Sequence, residues 1–309
     1  MQTILGAGGL IANELASSLR KYTNELRLVS RNPTKLEDSD ELVSASLMDK
    51  SATFNAVAGS EVTYLTVGLP YETKLWVEAW PIILQNVVEA CETHQSKLVF
   101  FDNVYMYSPL EMGHMTEESE VAPTSKKGKA RMKAARIVEE SVEKGKINAV
   151  IARAADFYGP KNDDRSVLYE MVFKNLANGK KANWLGDYKA PHSYTYTPDA
   201  GHATALLGNT DDAFDQVWHL PTYPDPWTGE EWVAKVADFM DKPAKAQVLG
   251  KGMARFLGIF MGQLRETIEM FYQFDQPYVF DSSKFSNHFG ISATSYQDGL
   301  ENIIKSNFS

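Results

Sequence analysis

The chain has few of the features that build disulfide frameworks, metal sites or membrane spans. Its 309 residues include one cysteine, Cys91, which cannot form an internal disulfide and is typical of a reducing compartment. Six histidines are scattered, and none lies at a metal-ligand spacing from another histidine, a cysteine or a carboxylate. The most apolar stretch, residues 256–262, is far shorter than the roughly 20 residues of a membrane helix. We therefore expect a soluble protein that has no metal and no membrane partner.

The chain also has fewer basic than acidic residues. The chain has 31 Lys and Arg against 40 Asp and Glu, a formal net charge of −9, which argues against nucleic acid as a main partner. No Gly-x-Ser-x-Gly turn occurs, so a hydrolase is not indicated. Met1 leads almost directly into an apolar run without a signal-peptide pattern, which predicts a cytoplasmic location.

The beginning of the chain carries the clearest motif. Residues 2–5 form a short apolar run that predicts a strand, and residues 13–19 have a helical pattern. Between them lies the glycine-rich turn 6–12, GAGGLIA. A strand, a glycine turn and a helix in this order form the context of a dinucleotide-binding fingerprint.

Each part of this turn has a physical role in binding a dinucleotide. Gly6 allows the chain to turn sharply off the strand, and Gly8 and Gly9 leave room for a pyrophosphate beside bare backbone. Leu10 and Ile11 follow in the turn, and the N-terminus of the helix behind them offers unpaired N–H groups and a positive dipole end to phosphate. We therefore predict that these five residues bind a dinucleotide cofactor.

Strand and helix patterns alternate through the first half and predict an α/β fold, a Rossmann-type doubly wound parallel sheet. After about residue 160 the alternation breaks, and helical patterns at 167–178, 228–240 and 260–272 mix with short strands. We expect an NAD(P)-binding domain over residues 1–160, whose core extends into later segments, and a smaller α+β substrate lobe over residues 161–309. The predicted strands are 2–5, 26–30, 42–45, 61–67, 97–101 and 148–152, and the predicted helices are 13–19, 50–58, 75–93 and 126–144.

Several separate motifs resemble one family. In order and spacing the chain resembles the extended short-chain dehydrogenase/reductase superfamily, also called the NAD-dependent epimerase/dehydratase family. The third position of the glycine turn, usually Gly in that family, is Ala12 here, which still permits close packing of helix on strand. The segments that carry the resemblance are 6–12, Asp49, 86–91, 102–107, 153–160, 194–199 and the tail 281–300.

The resemblance implies an active site after the fifth strand, and this chain departs from the family there. The Ser or Thr of the family falls on Asn103, and its Tyr-x-x-x-Lys pair falls on Lys127 and Arg131. A frame that pairs Ser125 with Lys129 also lacks the tyrosine. By resemblance, Asn103, Tyr105, Lys127 and Arg131 are the candidate catalytic residues, with Arg131 also reaching the nicotinamide ribose. The alternative is that residues 126–133 form a solvated basic face at the start of a helix.

The cofactor preference rests on the end of the second strand. NAD-preferring sites place a carboxylate there to bind the ribose 2′-OH, whereas this chain has Ser30 and Arg31, and a guanidinium can bind a 2′-phosphate. We therefore expect NADP in preference to NAD, with a surface arginine as the alternative. The resemblance adds Asp49, Thr66, Val67 and Gly68 to the candidate cofactor residues.

The candidate substrate residues follow the fifth and sixth strands or lie in the second half. Ligands bind at the carboxyl ends of strands in such folds, although each of these residues also has a packing alternative. The candidates are Asp102, Tyr107, Asp156, Tyr158, His192 and Tyr194. An apolar stripe of methionines and phenylalanines over residues 253–271 is interpreted as core or lobe wall, with an apolar pocket or a subunit contact as the alternative.

These features predict an NAD(P)-dependent oxidoreductase, a reductase or an isomerase acting by hydride transfer, with a small carbonyl or hydroxyl substrate. Two alternatives stay open: a non-catalytic sensor that binds NADP(H), and a nucleotide-sugar epimerase or dehydratase. The missing tyrosine counts against the second of these. We expect a monomer or a homodimer, and the helices 75–93 and 126–144 could form the dimer contact common in the family.

Overall fold

The computed structural model describes residues 1–160 and 166–308, and its chain divides into two compact units. Unit 1 comprises residues 1–106, 126–154 and 198–220, and unit 2 comprises residues 107–125, 155–197 and 221–309. The units therefore do not follow a single division after residue 160. Residues 107–125 already belong to unit 2, and the late segment 198–220 returns to unit 1.

Unit 1 is built on a seven-stranded sheet in which every pair of neighbouring strands is parallel. The strand order is β10-β6-β5-β4-β1-β2-β3, so the chain winds to one side from β1 and then to the other, as in a doubly wound fold. The predicted Rossmann-type sheet is confirmed. The strands are β1 Gln2–Leu5, β2 Leu26–Ser30, β3 Glu41–Ser44, β4 Val62–Leu65, β5 Lys97–Asp102, β6 Ala149–Arg153 and β10 Gln216–His219.

Helices cover this sheet because each carries an apolar face at helical spacing. In α4, for example, Ala130, Ala134 and Val138 are buried while the intervening positions 129, 133 and 136 are exposed. Pro81 lies inside α3, where sequence analysis places it. The helices are α1 Leu10–Leu19, α2 Lys50–Val57, α3 Thr73–His94, α4 Lys126–Glu143 and α6 Thr197–Gly208.

Unit 2 is a mixed α and β structure with two small parallel sheets, β7 with β9 and β8 with β11. Its core is rich in aromatic rings, among them Tyr158, Trp232 and Tyr296. A π-helical segment, Tyr169–Phe173, leads into α5, a departure from regular helix that often marks a functional site. The strands are β7 Asp156–Tyr158, β8 Ala182–Leu185, β9 Tyr194–Tyr196 and β11 Ala246–Leu249, and the helices are α5 Lys174–Ala177, α7 Gly229–Phe239, α8 Lys251–Gly258, α9 Gly262–Thr267, α10 Ser283–Phe289 and α11 Tyr296–Asn307.

The apolar stripe of residues 253–271 is divided by the fold. Met270 and Phe271 are core residues, as predicted, whereas Met253, Phe256 and Phe260 are largely exposed. The core interpretation is therefore wrong for the exposed part, because α8 turns its large side chains outward. In the described part of the chain, no helix is long and apolar enough to cross a membrane.

Candidate functional site

The glycine turn between β1 and α1 has the geometry that its sequence predicts. Gly6 adopts φ +111°, and a Cβ there would lie 2.6 Å from the Val67 nitrogen, so a larger residue does not fit. Gly8 adopts φ +85°, but a Cβ there would meet no described atom within 4 Å. Position 8 therefore requires glycine because of its backbone conformation, and not because neighbouring atoms crowd it. The backbone of the turn is open on the side that a Cβ at position 8 would face.

The start of α1 offers unpaired backbone donors to that open side. The first intrahelical hydrogen bond of α1 runs from the Asn13 N–H to the Gly9 carbonyl at 3.0 Å, so Leu10, Ile11 and Ala12 precede it. Gly9 is the N-cap and has no side chain to satisfy these N–H groups. The residues fit the pyrophosphate of a dinucleotide, because an anion here would accept these hydrogen bonds and face the positive end of the helix dipole.

The turn lies at the point where the strand order of the sheet reverses. β1 is flanked by β2 and β4, and Thr66, directly after β4, donates its N–H to Leu5 at the end of β1 at 2.9 Å. The close approach of Gly6 to Val67 belongs to the same contact. Ligands of open parallel sheets bind at this kind of crevice, so the placement of Thr66, Val67 and Gly68 is consistent with the cofactor role predicted for them.

The end of β2 is hydrogen-bonded to the glycine turn. Gly6 and Ala7 both donate N–H groups to the Val29 carbonyl, at 2.9 and 3.0 Å. Ser30 ends the strand, and the Arg31 side chain that follows is exposed. Arg31 comes two residues after Val29, and its predicted contact with the 2′-phosphate of NADP stays a prediction.

Asp49 has a local role that sequence analysis missed. It is the N-cap of α2, and its Oδ1 accepts a hydrogen bond from the Ala52 N–H at 2.9 Å. The side chain is exposed, and its predicted contact with the cofactor stays a prediction.

Two of the predicted functional residues, Asp102 at the end of β5 and Arg131 on α4, form a buried ion pair. Arg131 donates from Nε to Asp102 Oδ1 at 2.8 Å, and its guanidinium carbon lies 3.9 Å from the ring centroid of Trp80. Arg153 approaches the other carboxylate oxygen at 3.7 Å. All three charged side chains are almost completely buried. The pair buries both side chains in unit 1, and the roles predicted for Asp102 in substrate binding and for Arg131 in catalysis and ribose binding stay predictions.

Lys127, the residue predicted at the family's tyrosine position, is also buried. Its Nζ donates to Thr73 Oγ1 at 2.7 Å and lies 4.4 Å from the ring centroid of Tyr71, a cation–π contact. The alternative of a solvated basic face is wrong for Lys127 and Arg131, which point inward four residues apart. It holds for the exposed residues Lys126, Lys129 and Lys133.

The rings of Tyr71, Trp76 and Tyr105 pack together in unit 1, and the ring of Tyr71 contacts Lys127. Tyr105 stacks on Trp76 with ring centroids 5.8 Å apart and meets Tyr71 edge-on at 6.5 Å. Asn103 Oδ1 accepts the Tyr105 N–H at 3.1 Å and so shapes the turn that presents this ring. Asn103 and Tyr105 are both partly exposed. Asn103, Tyr105 and Lys127, three of the four candidate catalytic residues, lie by the carboxyl ends of the neighbouring strands β4 and β5.

Unit 2 brings together three of the predicted substrate residues. His192 Nε2 lies 2.9 Å from Asp156 Oδ2, and the imidazole ring is stacked on Tyr278 at 4.3 Å and tilted against Tyr194 at 4.7 Å. The His192 side chain is 5% exposed and that of Asp156 is 21% exposed, so the carboxylate is the more accessible partner. A carboxylate that fixes one imidazole nitrogen sets its tautomer and orientation.

Burial and charge act together on the tyrosines of this group. Burial raises the pKa of both Tyr194 and Tyr278 well above the ordinary tyrosine value, and the negative charge of Asp156 raises both further. Both hydroxyls therefore stay protonated through the neutral range. They can donate hydrogen bonds but do not act as bases.

Two predicted substrate residues belong to the interior of unit 2. Tyr107 is fully buried, and Tyr158 packs against Tyr196, Trp232 and Tyr296 with ring centroids 5.2–5.4 Å away. These contacts match the packing alternative for Tyr158, and the predicted contact of both residues with substrate stays a prediction.

A small apolar cleft adjoins the His192 group. Tyr194 and Phe274 line it, and both rings also contact His192. The remaining walls come from the segment 167–172 and from Trp184 and Leu185. Every side chain that lines the cleft is apolar or aromatic, and the cleft is too small to hold a substrate, so we assign it to imperfect packing of unit 2.

Sequence analysis missed Tyr71, Thr73 and Trp76 in unit 1 and Tyr278 and Phe274 in unit 2. The first three follow β4 at the reversal of strand order, and that position is a signal which could have identified them. The last two reach His192 from a distant part of the chain, and nothing in the sequence indicates that contact. Within residues 1–160 and 166–308, no group of three or more His, Cys, Asp or Glu could hold a metal ion.

Known proteins agree with this geometry. The model of the NAD dependent epimerase/dehydratase family matches residues 3–218, and the chain belongs to that family. No curated protein matches the chain significantly.

Solved structures of similar fold cover almost the whole chain at low sequence identity. UDP-glucose 4-epimerase of Thermus thermophilus in complex with NAD is 16% identical with a TM-score of 0.76, over 99% of this chain and 98% of that one. UDP-glucuronic acid 4-epimerase of Bacillus cereus in complex with NAD is 18% identical with a TM-score of 0.77, over 99% and 98%. The dTDP-glucose 4,6-dehydratase DesIV of Streptomyces venezuelae, a double mutant with NAD and DAU bound, is 14% identical with a TM-score of 0.77, over 99% and 96%. At these identities the likeness shows the fold alone.

Proposed function

We propose that the protein is an NAD(P)-dependent oxidoreductase, a reductase or a hydride-transfer isomerase, with a small carbonyl or hydroxyl substrate. The observation that carries this proposal is the open glycine turn at the start of α1, next to the reversal of strand order. Membership of an NAD-dependent family supports it. When bound, the cofactor supplies a hydride acceptor or donor at its nicotinamide ring.

The chain itself must supply a proton donor for this chemistry. As the carbonyl carbon gains a hydride, the C–O π electrons move to oxygen, which takes a proton; the reverse reaction returns that proton to the same group. Lys127 stands in the family's tyrosine position, and Thr73 and Tyr71 hold its Nζ in place. We assign proton donation to Lys127, with Tyr105 and Asn103 as polarising neighbours.

Variants at position 127 test this assignment. Lys127→Met removes the proton donor, and we expect a large loss of kcat with little change in the affinity for NADP⁺. Lys127→Tyr restores the family residue, and we expect partial recovery of turnover and a shifted pH profile. Lys129→Met, on an exposed neighbouring position, serves as the control. Equal turnover for Lys127→Met and Lys129→Met would remove Lys127 from the mechanism.

Cofactor choice is the finer part of the proposal. Arg31, exposed after the end of β2, supports NADP, whereas the solved structures named above hold NAD. Calorimetric titration with NADP⁺ and with NAD⁺ separates the two. We expect tighter binding of NADP⁺, which Arg31→Ala weakens selectively, while Arg136→Ala on the exposed face of α4 changes neither. No loss would assign Arg31 to the surface only, and an equal loss for both nucleotides would assign it to a contact with the part that NAD⁺ and NADP⁺ share.

A second candidate is a nucleotide-sugar epimerase or dehydratase, which the fold of the neighbouring structures favours. Lys127 in place of the tyrosine favours the first candidate. Assays of NADPH oxidation with aldehydes and ketones, run beside UDP-glucose and dTDP-glucose conversion, decide between them. Binding of NADP⁺ without turnover in any assay supports the third possibility, a non-catalytic sensor. The cytoplasmic location and the state of monomer or homodimer stay predictions.

A further inference from the structure

Positive charge is concentrated in one segment of unit 2. Between Asp241 and Glu266 the sequence has five Lys or Arg and no Asp or Glu, in a chain whose net charge is −9. All five are exposed. We name residues 242–265 the basic–apolar segment, and its cations are Lys242, Lys245, Lys251, Arg255 and Arg265.

The helix at the centre of this segment, α8, buries small residues and exposes large apolar ones, whereas an ordinary surface helix buries its apolar face. On α8, Ala254 and Gly258 face the protein and are buried, one turn apart. Ala254 packs with Leu185 and Phe271, and a Cβ at Gly258 would lie 3.3 Å from the Arg265 backbone. The small residues thus allow close packing on unit 2, which leaves the large apolar residues of α8 on the outside.

Met253 and Phe256 of α8, with Ile259, Phe260 and Met261 directly after it, form an exposed apolar cluster. Met253 is 55% exposed, Phe256 59%, Ile259 69%, Phe260 77% and Met261 54%. Phe256 and Phe260 lie one turn apart and contact each other with ring centroids 6.0 Å apart. A contiguous cluster of this kind is unfavourable in water and marks a surface that binds an apolar partner.

The charges around the cluster indicate which partner fits. Exposed cations flank the apolar side chains along the chain, and the segment has no carboxylate of its own to balance them. Lys251 pairs with Asp275 of the same unit at 3.4 Å. A second copy that paired through the same segment would bring two sets of cations together. An anionic bilayer surface accommodates both features, because the apolar side chains enter the acyl boundary while Lys and Arg meet headgroup phosphates.

We propose that the basic–apolar segment docks the protein peripherally on an anionic phospholipid surface. The docking is independent of the proposed enzyme activity and revises the expectation of no membrane partner. It requires no membrane-spanning helix, because an interfacial segment lies in the plane of the headgroups.

Vesicle co-sedimentation of the full chain tests the proposal. We expect binding to vesicles of equal parts phosphatidylcholine and phosphatidylserine, weakening with added salt, and little binding to vesicles of phosphatidylcholine alone. Phe256→Ser combined with Phe260→Ser should abolish sedimentation. Lys245→Gln combined with Arg255→Gln should weaken it about tenfold or more and reduce its salt dependence.

Matched controls separate the segment from general surface effects. Leu110→Ser removes an apolar side chain that is 90% exposed elsewhere on unit 2, and Lys180→Gln with Lys181→Gln removes two other exposed cations. Both controls should sediment like the wild type. Calorimetric binding of NADP⁺ and the circular dichroism spectrum report that every variant is folded.

Three results would overturn the proposal. The first is a wild-type protein that stays in the supernatant with the anionic vesicles. The second is an aromatic double variant that sediments as well as the wild type. The third is sedimentation equilibrium showing a dimer that Phe256→Ser with Phe260→Ser dissociates, without any binding to vesicles, and this result would assign the cluster to contact between copies of the chain.

Discussion

Arg131, on α4, and Asp102, at the end of β5, form a buried ion pair. Removal of one partner leaves the other charge buried without compensation, which typically lowers the free energy of unfolding by about 3–5 kcal/mol. We expect a loss of this size for Arg131→Met in urea unfolding. Arg136→Met, at an exposed position of the same helix, should change stability by no more than about 0.5 kcal/mol. Similar small losses in both variants would show that the pair contributes little.

Gly6 and Gly8 both have positive φ, but only Gly6 is crowded by Val67. Gly6→Ala forces the ends of β1 and β4 apart, and we expect a strongly lowered Tm or failure to fold. Gly8→Ala carries only the conformational strain, about 1–2 kcal/mol, but its methyl group projects toward the open side of the turn. We therefore expect a folded variant with weakened dinucleotide binding. Thermal unfolding and calorimetric titration measure both effects, and equal Tm losses would contradict the distinction.

The single thiol of the chain should be inert in the native state. Cys91 is fully buried on α3, and burial raises the pKa of its thiol to about 12. Thiolate is the reactive form, so a disulfide reagent at pH 8 should react only after a denaturant is added. Absorbance of the released chromophore measures the rate. Rapid stoichiometric reaction of the native protein would mean that α3 opens readily from the sheet.

The buried tyrosines around His192 predict a loss of stability in alkali. Burial raises the pKa of Tyr194 and Tyr278 in the folded state, so the unfolded chain releases these protons first as pH rises through about 10. The contribution is therefore fully present below the pKa of the unfolded state and is lost above it. We expect the free energy of unfolding to fall above that pH, with a smaller slope in Tyr278→Phe. Tyr22→Phe, which alters a partly exposed ring, should keep the wild-type slope.

The sheet was the most predictable part of the molecule. All six predicted strands occur, with ends shifted by at most two residues, because runs buried on both faces of a parallel sheet are apolar throughout. The strand β10 was not predicted, since Gln216–His219 is short and surrounded by polar residues. Asp199 lies in the first turn of α6, where its charge suits the helix dipole.

The cofactor turn was predictable because its function is a local backbone property. Glycines at 6, 8 and 9, between a strand and a helix, produce open N–H donors without help from distant residues. The roles of charged side chains were not predictable in the same way. Spacing along α4 places Lys127 and Arg131 on one face but does not indicate whether that face meets water or the sheet.

The sequence by itself therefore determined the doubly wound sheet, the glycine turn and the family, since each depends on local pattern and order along the chain. Only the tertiary structure decided that Asp102 pairs with Arg131, that Thr73 and Tyr71 hold Lys127, and that α8 turns its phenylalanines outward. The reason is that burial and pairing of a side chain depend on residues far away in sequence, which the folded backbone alone brings into contact.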